Sequence, residues 1–393
     1  MIQQSEIKQR EGINIRVLFA LTLVHFTGDF YSSFTSPLFP LFVEKMGLSL
    51  TQVGIIAGLS RFLAFIVQPP VGYFADRYRT RSFILAGLLM PVIFVPMSGI
   101  STGFATLLIA TALGSFGSSM FHPSVTGMVP VYSGSRAGFA MSVFNTGGTF
   151  AFGVGPLFIT WYAARFGLDA LPFTMIFGLI VFVWIYMILP CPAGEGLRNL
   201  GFIGSIRESL GSAWKTVALI WVVMFLRAVV GQSFLTFMPV LYVQKGYSVV
   251  SAGVIFSLFT VAGTVSGITA GHVSDRIGFK PVFIFSHLLM TPMLLGFLYC
   301  TGNWVYMGSF LAGGAVLASL PLGVVMAQKL APKGKSMIAS LMMGFAYGLG
   351  GMISPLVGKL SDMYSIHTVL AVISLIPLLS LVLIFRFPNV KNA

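Results

Sequence analysis

The chain has 393 residues, of which 56% are hydrophobic and 8% charged, with 37 Phe, 44 Gly and 20 Met and a mean hydropathy of +0.92. No soluble domain hides that much apolar surface, so the composition excludes a water-soluble protein and implies a polytopic protein embedded in the lipid bilayer. The net charge of +13 is no footprint of nucleic-acid binding, because the bases fall in short loops on alternate sides of successive apolar segments, which is a topology signal.

Residues 1–12 are polar and of mixed charge, and the first apolar stretch is too long and too studded with polar groups for a cleaved signal peptide. It is expected to remain as the first spanning helix. A spanning helix takes roughly 20 mainly apolar residues, and twelve such segments are predicted. In the first half they run over 15–43, 50–72, 82–100, 103–126, 138–163 and 170–190; in the second over 216–243, 249–271, 280–300, 304–327, 336–357 and 366–387. The predicted architecture is an all-α membrane protein with six-helix units at 1–190 and 216–393. Between them lies a polar linker, 191–215, where Phe202, Ile206, Leu210 and Trp214 fall four apart. That spacing fits either an amphipathic helix on the membrane surface or a solvated connection.

Orientation follows from Lys and Arg. With both termini cytoplasmic, 17 of the 23 bases lie on the inner side, only Lys45, Arg165, Lys245 and Lys359 lie outside, and Arg61 and Arg227 fall within apolar segments. Cys191 and Cys300 are then placed at opposite membrane faces, too far apart for a disulfide.

The second half repeats the first. Gly72, Asp76, Arg77 and Arg81 after the second segment are matched by Gly271, Asp275, Arg276 and Lys280 after the eighth, an offset of 199 positions for each. An acid at the end of a helix can pair with a neighbouring base or with the positive end of another helix, so these loops are candidate latches of the inner gate. Topological anchoring by the bases is the plainer reading. The fifth segment, with Gly147-Gly148 and Gly155-Pro156, is echoed in the eleventh by Gly350-Gly351 and Ser354-Pro355. Small residues permit close helix packing, and their paired placement fits elements that rock against each other.

Among ten acids only Asp29 lies deep inside an apolar segment, and an ionisable group there is a functional hypothesis by default. His25 is four residues earlier on the same helix face. A carboxyl balanced between desolvation and a neighbouring cation can load and release a proton, so Asp29 assisted by His25 is the candidate proton carrier; permanent neutralisation by a buried cation is the structural alternative. Arg227 and Arg61 are the candidate substrate ligands, since guanidinium forks suit carboxylate, phosphate or phosphonate. Arg61 can instead pair with Asp29. His122, Asn145 and Gln232 are further polar candidates, although a His beside Pro123 is more often structural. No metal site is expected, because His25 with Asp29 offers two ligands where a catalytic metal takes three. For the same reason an enzyme is not expected.

Two six-helix halves with Gly-x-x-x-Asp-Arg loops after the second and eighth helices resemble the major facilitator superfamily. More narrowly, His25 to Asp29, Phe121-His122-Pro123, Phe144 to Gly148, Arg227 and Ala327 to Pro332 resemble signature positions of the fosmidomycin resistance protein family of proton-coupled drug exporters. The resemblance implies a monomeric secondary transporter of the inner membrane that needs no cofactor beyond a proton gradient. It would export a small anionic or amphiphilic compound by antiport and contribute to multidrug efflux and antibiotic resistance. The chain departs from the pattern at Ser124, where the family has an acid, at Arg79, where the loop motif has Gly, and at Arg61. A symporter importing an organic anion or siderophore, and a non-transporting sensor or scaffold, are the alternatives.

Overall fold

The computed structural model describes residues 12–77, 80–134, 136–190, 210–331, 338 and 341–389. Among these there is no strand. The first half contains α1 (Ile15–Ser32), α2 (Thr35–Met46), α3 (Leu50–Arg77), α4 (Thr80–Met97), α5 (Phe104–Val131), α6 (Ala137–Phe166) and α7 (Met175–Ile188). The second contains α8 (Trp214–Gln244), α9 (Val249–Ile277), α10 (Phe279–Tyr299), α11 (Trp304–Leu317), α12 (Ser319–Leu330), α13 (Ala346–Gly351), α14 (Ser354–Met363), α15 (Ile366–Ile373) and α16 (Ile376–Ile384).

Four of the twelve predicted spans are broken into two pieces, and one chemical cause accounts for all four. Proline clashes with the carbonyl four residues before it and offers that carbonyl no N–H. Pro37 acts on residue 33, and α1 ends at Ser32; Pro321 acts on 317, and α11 ends at Leu317. Pro355 and Pro377 act on 351 and 373, where α13 and α15 stop. At the first break the hydroxyls of Ser32 and Ser33 donate to the carbonyls of Gly28 and Phe30, both at 2.7 Å, which bends the last turn further. Pro156, Pro239 and Pro292 lie within helices that continue through them.

Nine helices among the described residues are long and apolar enough to cross a membrane. The three predicted spans missing from that set are the first, fifth and eleventh, carried by α1–α2, α6 and α13–α14. The first and eleventh are broken into short helices, and α6 is diluted by Ser, Asn, Thr and Gly. The predicted linker lies outside the described residues as far as 209, and α8 begins at Trp214.

The halves meet chiefly along α6 on α9 and α3 on α14, with α13 also against α3 and α2 against α8 and α9. The 199-residue repeat reappears at this seam: a Cβ added to Gly54 of α3 would meet the Ser354 carbonyl, and one added to Gly253 of α9 would meet the Thr160 hydroxyl. Both contacts cross between the halves, and only a residue without a side chain allows the backbones so close.

Candidate functional site

Helices α1, α5 and α6 converge on a buried cluster. Asp29, 4% exposed, sits one turn after His25 on α1. Its Oδ2 lies 3.2 Å from His25 Nε2, and its Oδ1 lies 3.0 Å from His122 Nε2, which α5 delivers. Each imidazole is fixed from behind. His25 Nδ1 is 3.0 Å from the Phe144 carbonyl of α6, and His122 Nδ1 is 2.7 Å from the Ser118 carbonyl. His25 also stacks on Phe144 and His122 on Phe121, with ring centroids 4.1 Å apart in both pairs.

These contacts determine where hydrogens sit. A carbonyl only accepts, so both Nδ1 atoms must donate, and a neutral ring then turns a bare Nε2 lone pair towards the carboxylate. Two acceptors at 3.0–3.2 Å repel unless something positive lies between them, either a proton on nitrogen or oxygen or a metal cation. The buried Oδ1 makes no hydrogen bond of ordinary geometry despite its proximity to His122. His122, with 30% of its side chain accessible against 6% for Asp29, is the open side of the cluster. Gly148 of α6 makes room for it: an added Cβ would stand 2.5 Å from His25 Nε2 and 2.7 Å from Asp29 Oδ2.

The sequence placed Asp29 and His25 together and held Arg61 as a possible partner. The structure gives Asp29 two histidines instead. Arg61 reaches across the seam, its guanidinium carbon 5.1 Å from the ring centroid of Tyr347 in the other half. Arg227 is 2% exposed inside the second half, where Nη1 donates to the Val316 carbonyl at 3.3 Å and Nε is unpartnered. Among the described residues no carboxylate lies within ion-pair distance of it. Gln232 is 2% exposed with an unpartnered Nε2, and Asn145 is exposed on α6.

Of the predicted gate, the side chains of Gly72, Asp76 and Arg77 lie outside the described residues. Arg81 donates to the Tyr186 carbonyl and lies over that ring, so it holds α4 to α7 within its own half. Gly271, Asp275 and Arg276 occupy the last two turns of α9, Gly278 follows with φ +88°, and Lys280 Nζ donates to the Phe385 carbonyl at 2.8 Å.

The chain matches the model of the Major Facilitator Superfamily over residues 21–355 and 248–393. It belongs to that superfamily. The facilitator is 26% identical to the fosmidomycin resistance protein of Escherichia coli (strain K12) over 379 residues, 95% of this chain and 93% of the relative. It is 25% identical to the uncharacterized MFS-type transporter YfnC of Bacillus subtilis (strain 168), covering 97% of this chain and 95% of that one. Its fold is that of a bacterial homolog to the human lysosomal transporter Spinster, solved in an inward-facing and occupied conformation, with a TM-score of 0.80 at 14% identity over 96% and 98% of the two chains. The facilitator is therefore a multi-pass membrane transporter with the twelve-helix fold expected from its sequence.

One feature of this facilitator has no sequence signal. Asp362, at the end of α14 in the second half, caps the start of α3 in the first. Its Oδ1 accepts from Leu50 N at 2.8 Å, and its Oδ2 accepts from Thr51 N at 2.8 Å and from the Thr51 hydroxyl at 2.6 Å. The local caps repeat, Ser49 Oγ 3.2 Å from Gln52 N and Ser248 Oγ 3.1 Å from Ser251 N, each within its own half, and Asp362 is added to the first of them. A carboxylate on the positive end of a long helix is a charge-assisted clasp. Below it the seam continues through Gly54 and Gly58 against Ser354 and Pro355, Arg61 against Gly351 and Tyr347, and Phe65 against Phe345.

Slight burial raises the Asp362 pKa, but the hydrogen bonds from Thr51 and Leu50 outweigh it and hold the carboxyl below the usual carboxylate range. A depressed carboxyl stabilises the clasped form above its unpaired pKa, and the contribution is lost only as pH falls through the lowered value. The clasp is therefore unaffected between about pH 5 and 8. Asp362→Ala is expected to increase cysteine-reagent access to a Cys introduced at Gln52, by the same factor at both ends of that range. Unchanged access would remove Asp362 from the gate.

Proposed function

We propose that this transporter is a proton-coupled exporter of a small anionic or amphiphilic compound, working by alternating access of its two halves about a central site. The observation that carries this reading is the His25–Asp29–His122 cluster. Its two close contacts are each satisfied by one positive species, and its open member faces the more accessible side. A site that gains and loses a proton as its accessibility changes is what coupling requires.

Export is favoured by the name of the Escherichia coli relative, a fosmidomycin resistance protein. The preference for an anion rests on Arg61 and Arg227. Of the two, Arg61 stands at the seam, while a ligand reaches Arg227 only if helices of the second half part. His122, Asn145 and Gln232 complete the proposed polar lining, His122 through the proton cluster. With 17 of 23 bases inward, both termini are assigned to the cytoplasm of the inner membrane, and the face closed by Asp362 to the outside. The Gly72–Arg81 and Gly271–Lys280 stretches then form the inner gate, with six-helix units at 1–190 and 216–393 and a monomer as the working unit.

The test is proton flux in liposomes holding the purified chain, screened with phosphonates, carboxylates and hydrophobic antibiotics, fosmidomycin among them. Substrate added on one side is expected to drive protons in the opposite direction. Flux in the same direction identifies an importing symporter, the reading that Arg61 and Arg227 would otherwise favour. No proton movement with any transported compound overturns coupling.

A further inference from the structure

The carboxylate and imidazoles of α1 and α5 carry an assignment beyond proton coupling. The structure turns the two ligand atoms recognisable in the sequence into three, because α5 delivers His122. His25 Nε2, a carboxylate oxygen of Asp29 and His122 Nε2 all lie within 4.8 Å of one another. Ligands about 2.0–2.1 Å from a tetrahedral ion stand roughly 3.3 Å apart; here His25 Nε2 is 3.2 Å from Oδ2 and His122 Nε2 is 3.0 Å from Oδ1, so an ion held by both imidazoles takes the carboxylate across both oxygens or draws one of them inward. Both histidines have the outer support expected of metal ligands, the far ring nitrogen donating to a backbone carbonyl and thereby turning the Nε2 lone pair inward. Here those carbonyls belong to Phe144 and Ser118. Oδ1 of Asp29 is buried without a hydrogen bond of ordinary geometry. Gly148 keeps a side chain out of the space beside His25 Nε2 and Asp29 Oδ2.

We propose that His25, Asp29 and His122 form a three-ligand site for a divalent first-row transition-metal ion, with zinc as the reference ion. The fourth position is on the accessible side of His122. Two neutral imidazoles and one carboxylate suit such an ion better than calcium or magnesium, which take six or more oxygens. The site then carries one net positive charge, the same as the cluster with a proton in each close contact, so the ion substitutes without adding charge to the membrane interior. The assignment rests on ligand geometry and stands whether or not the same side chains move protons in transport.

The experiment is a zinc titration of the detergent-purified full-length chain by calorimetry, with cobalt(II) substitution read by visible absorption. One ion per chain is expected, with the intense bands of four-coordinate cobalt. His25→Asn, Asp29→Asn and His122→Asn are each expected to weaken binding by roughly tenfold or more, while His272→Asn and His367→Asn leave it unchanged. Failure of the wild type to take up zinc overturns the site, as does uptake indifferent to all three ligand substitutions. Should those variants not fold, the wild-type cobalt spectrum decides, and the weak spectrum of a six-coordinate ion overturns it. Proton flux measured with a chelator present tests the coupling separately, so failure of one assignment is distinguishable from failure of the other.

Discussion

Asp29→Asn is expected to reduce proton-driven transport to the background of empty liposomes while leaving substrate binding and substrate exchange intact. The amide matches the carboxyl in size, so the packing of α1 against α5 and α6 is kept. It does not ionise, and it can donate a hydrogen bond to only one of the two Nε2 atoms that face it at 3.2 and 3.0 Å. The proton store is lost, whereas Arg61, Arg227 and the seam between the halves are untouched. Counterflow of labelled substrate needs no net proton movement and so separates a coupling defect from a folding or binding defect. Persistent pH-gradient-driven transport in this variant would refute the role of Asp29.

Gly148→Ala is expected to have a comparable effect from the opposite helix. Its Cβ would stand 2.5 Å from His25 Nε2 and 2.7 Å from Asp29 Oδ2, well inside van der Waals contact, so either α6 withdraws or the His25–Asp29 pair is pushed apart. Overpacking of this kind costs about 1–3 kcal/mol. That is enough to lower the thermal midpoint without unfolding the chain, yet a shift of under 1 Å breaks contacts of this length. Loss of proton coupling together with a modestly lowered midpoint is the expected pair of results. Full coupling in Gly148→Ala would mean that the cluster tolerates displacement and that its geometry is not what matters.

Much of the architecture is legible in the sequence because the bilayer imposes it. Length, apolar content and the placement of bases depend on position along the chain alone, and twelve spans and the 199-residue repeat follow from them. Asp29 with His25 is legible for a similar reason, since a spacing of four on a helix is a statement about distance. The helix breaks were also readable, through Pro37, Pro321, Pro355 and Pro377 and their fixed effect on the carbonyl four residues back. The spans were nonetheless predicted as continuous.

What the tertiary structure decided is everything that depends on which helices meet. His122, 93 positions after Asp29 in the sequence, is indistinguishable from a structural histidine beside a proline until α5 is seen to pack against α1. The same holds for Asp362, an acid near the end of α14, which proves to cap a helix that starts 312 residues earlier in the chain. Arg61 looked like a mate for Asp29 because depth in the membrane can be counted along a helix, but rotation about the bundle cannot. Packing turned it towards Tyr347. Residue type and spacing thus named the buried charges, and only the arrangement of helices around them assigned their partners, because long-range contact is a property of the packed bundle rather than of any segment within it.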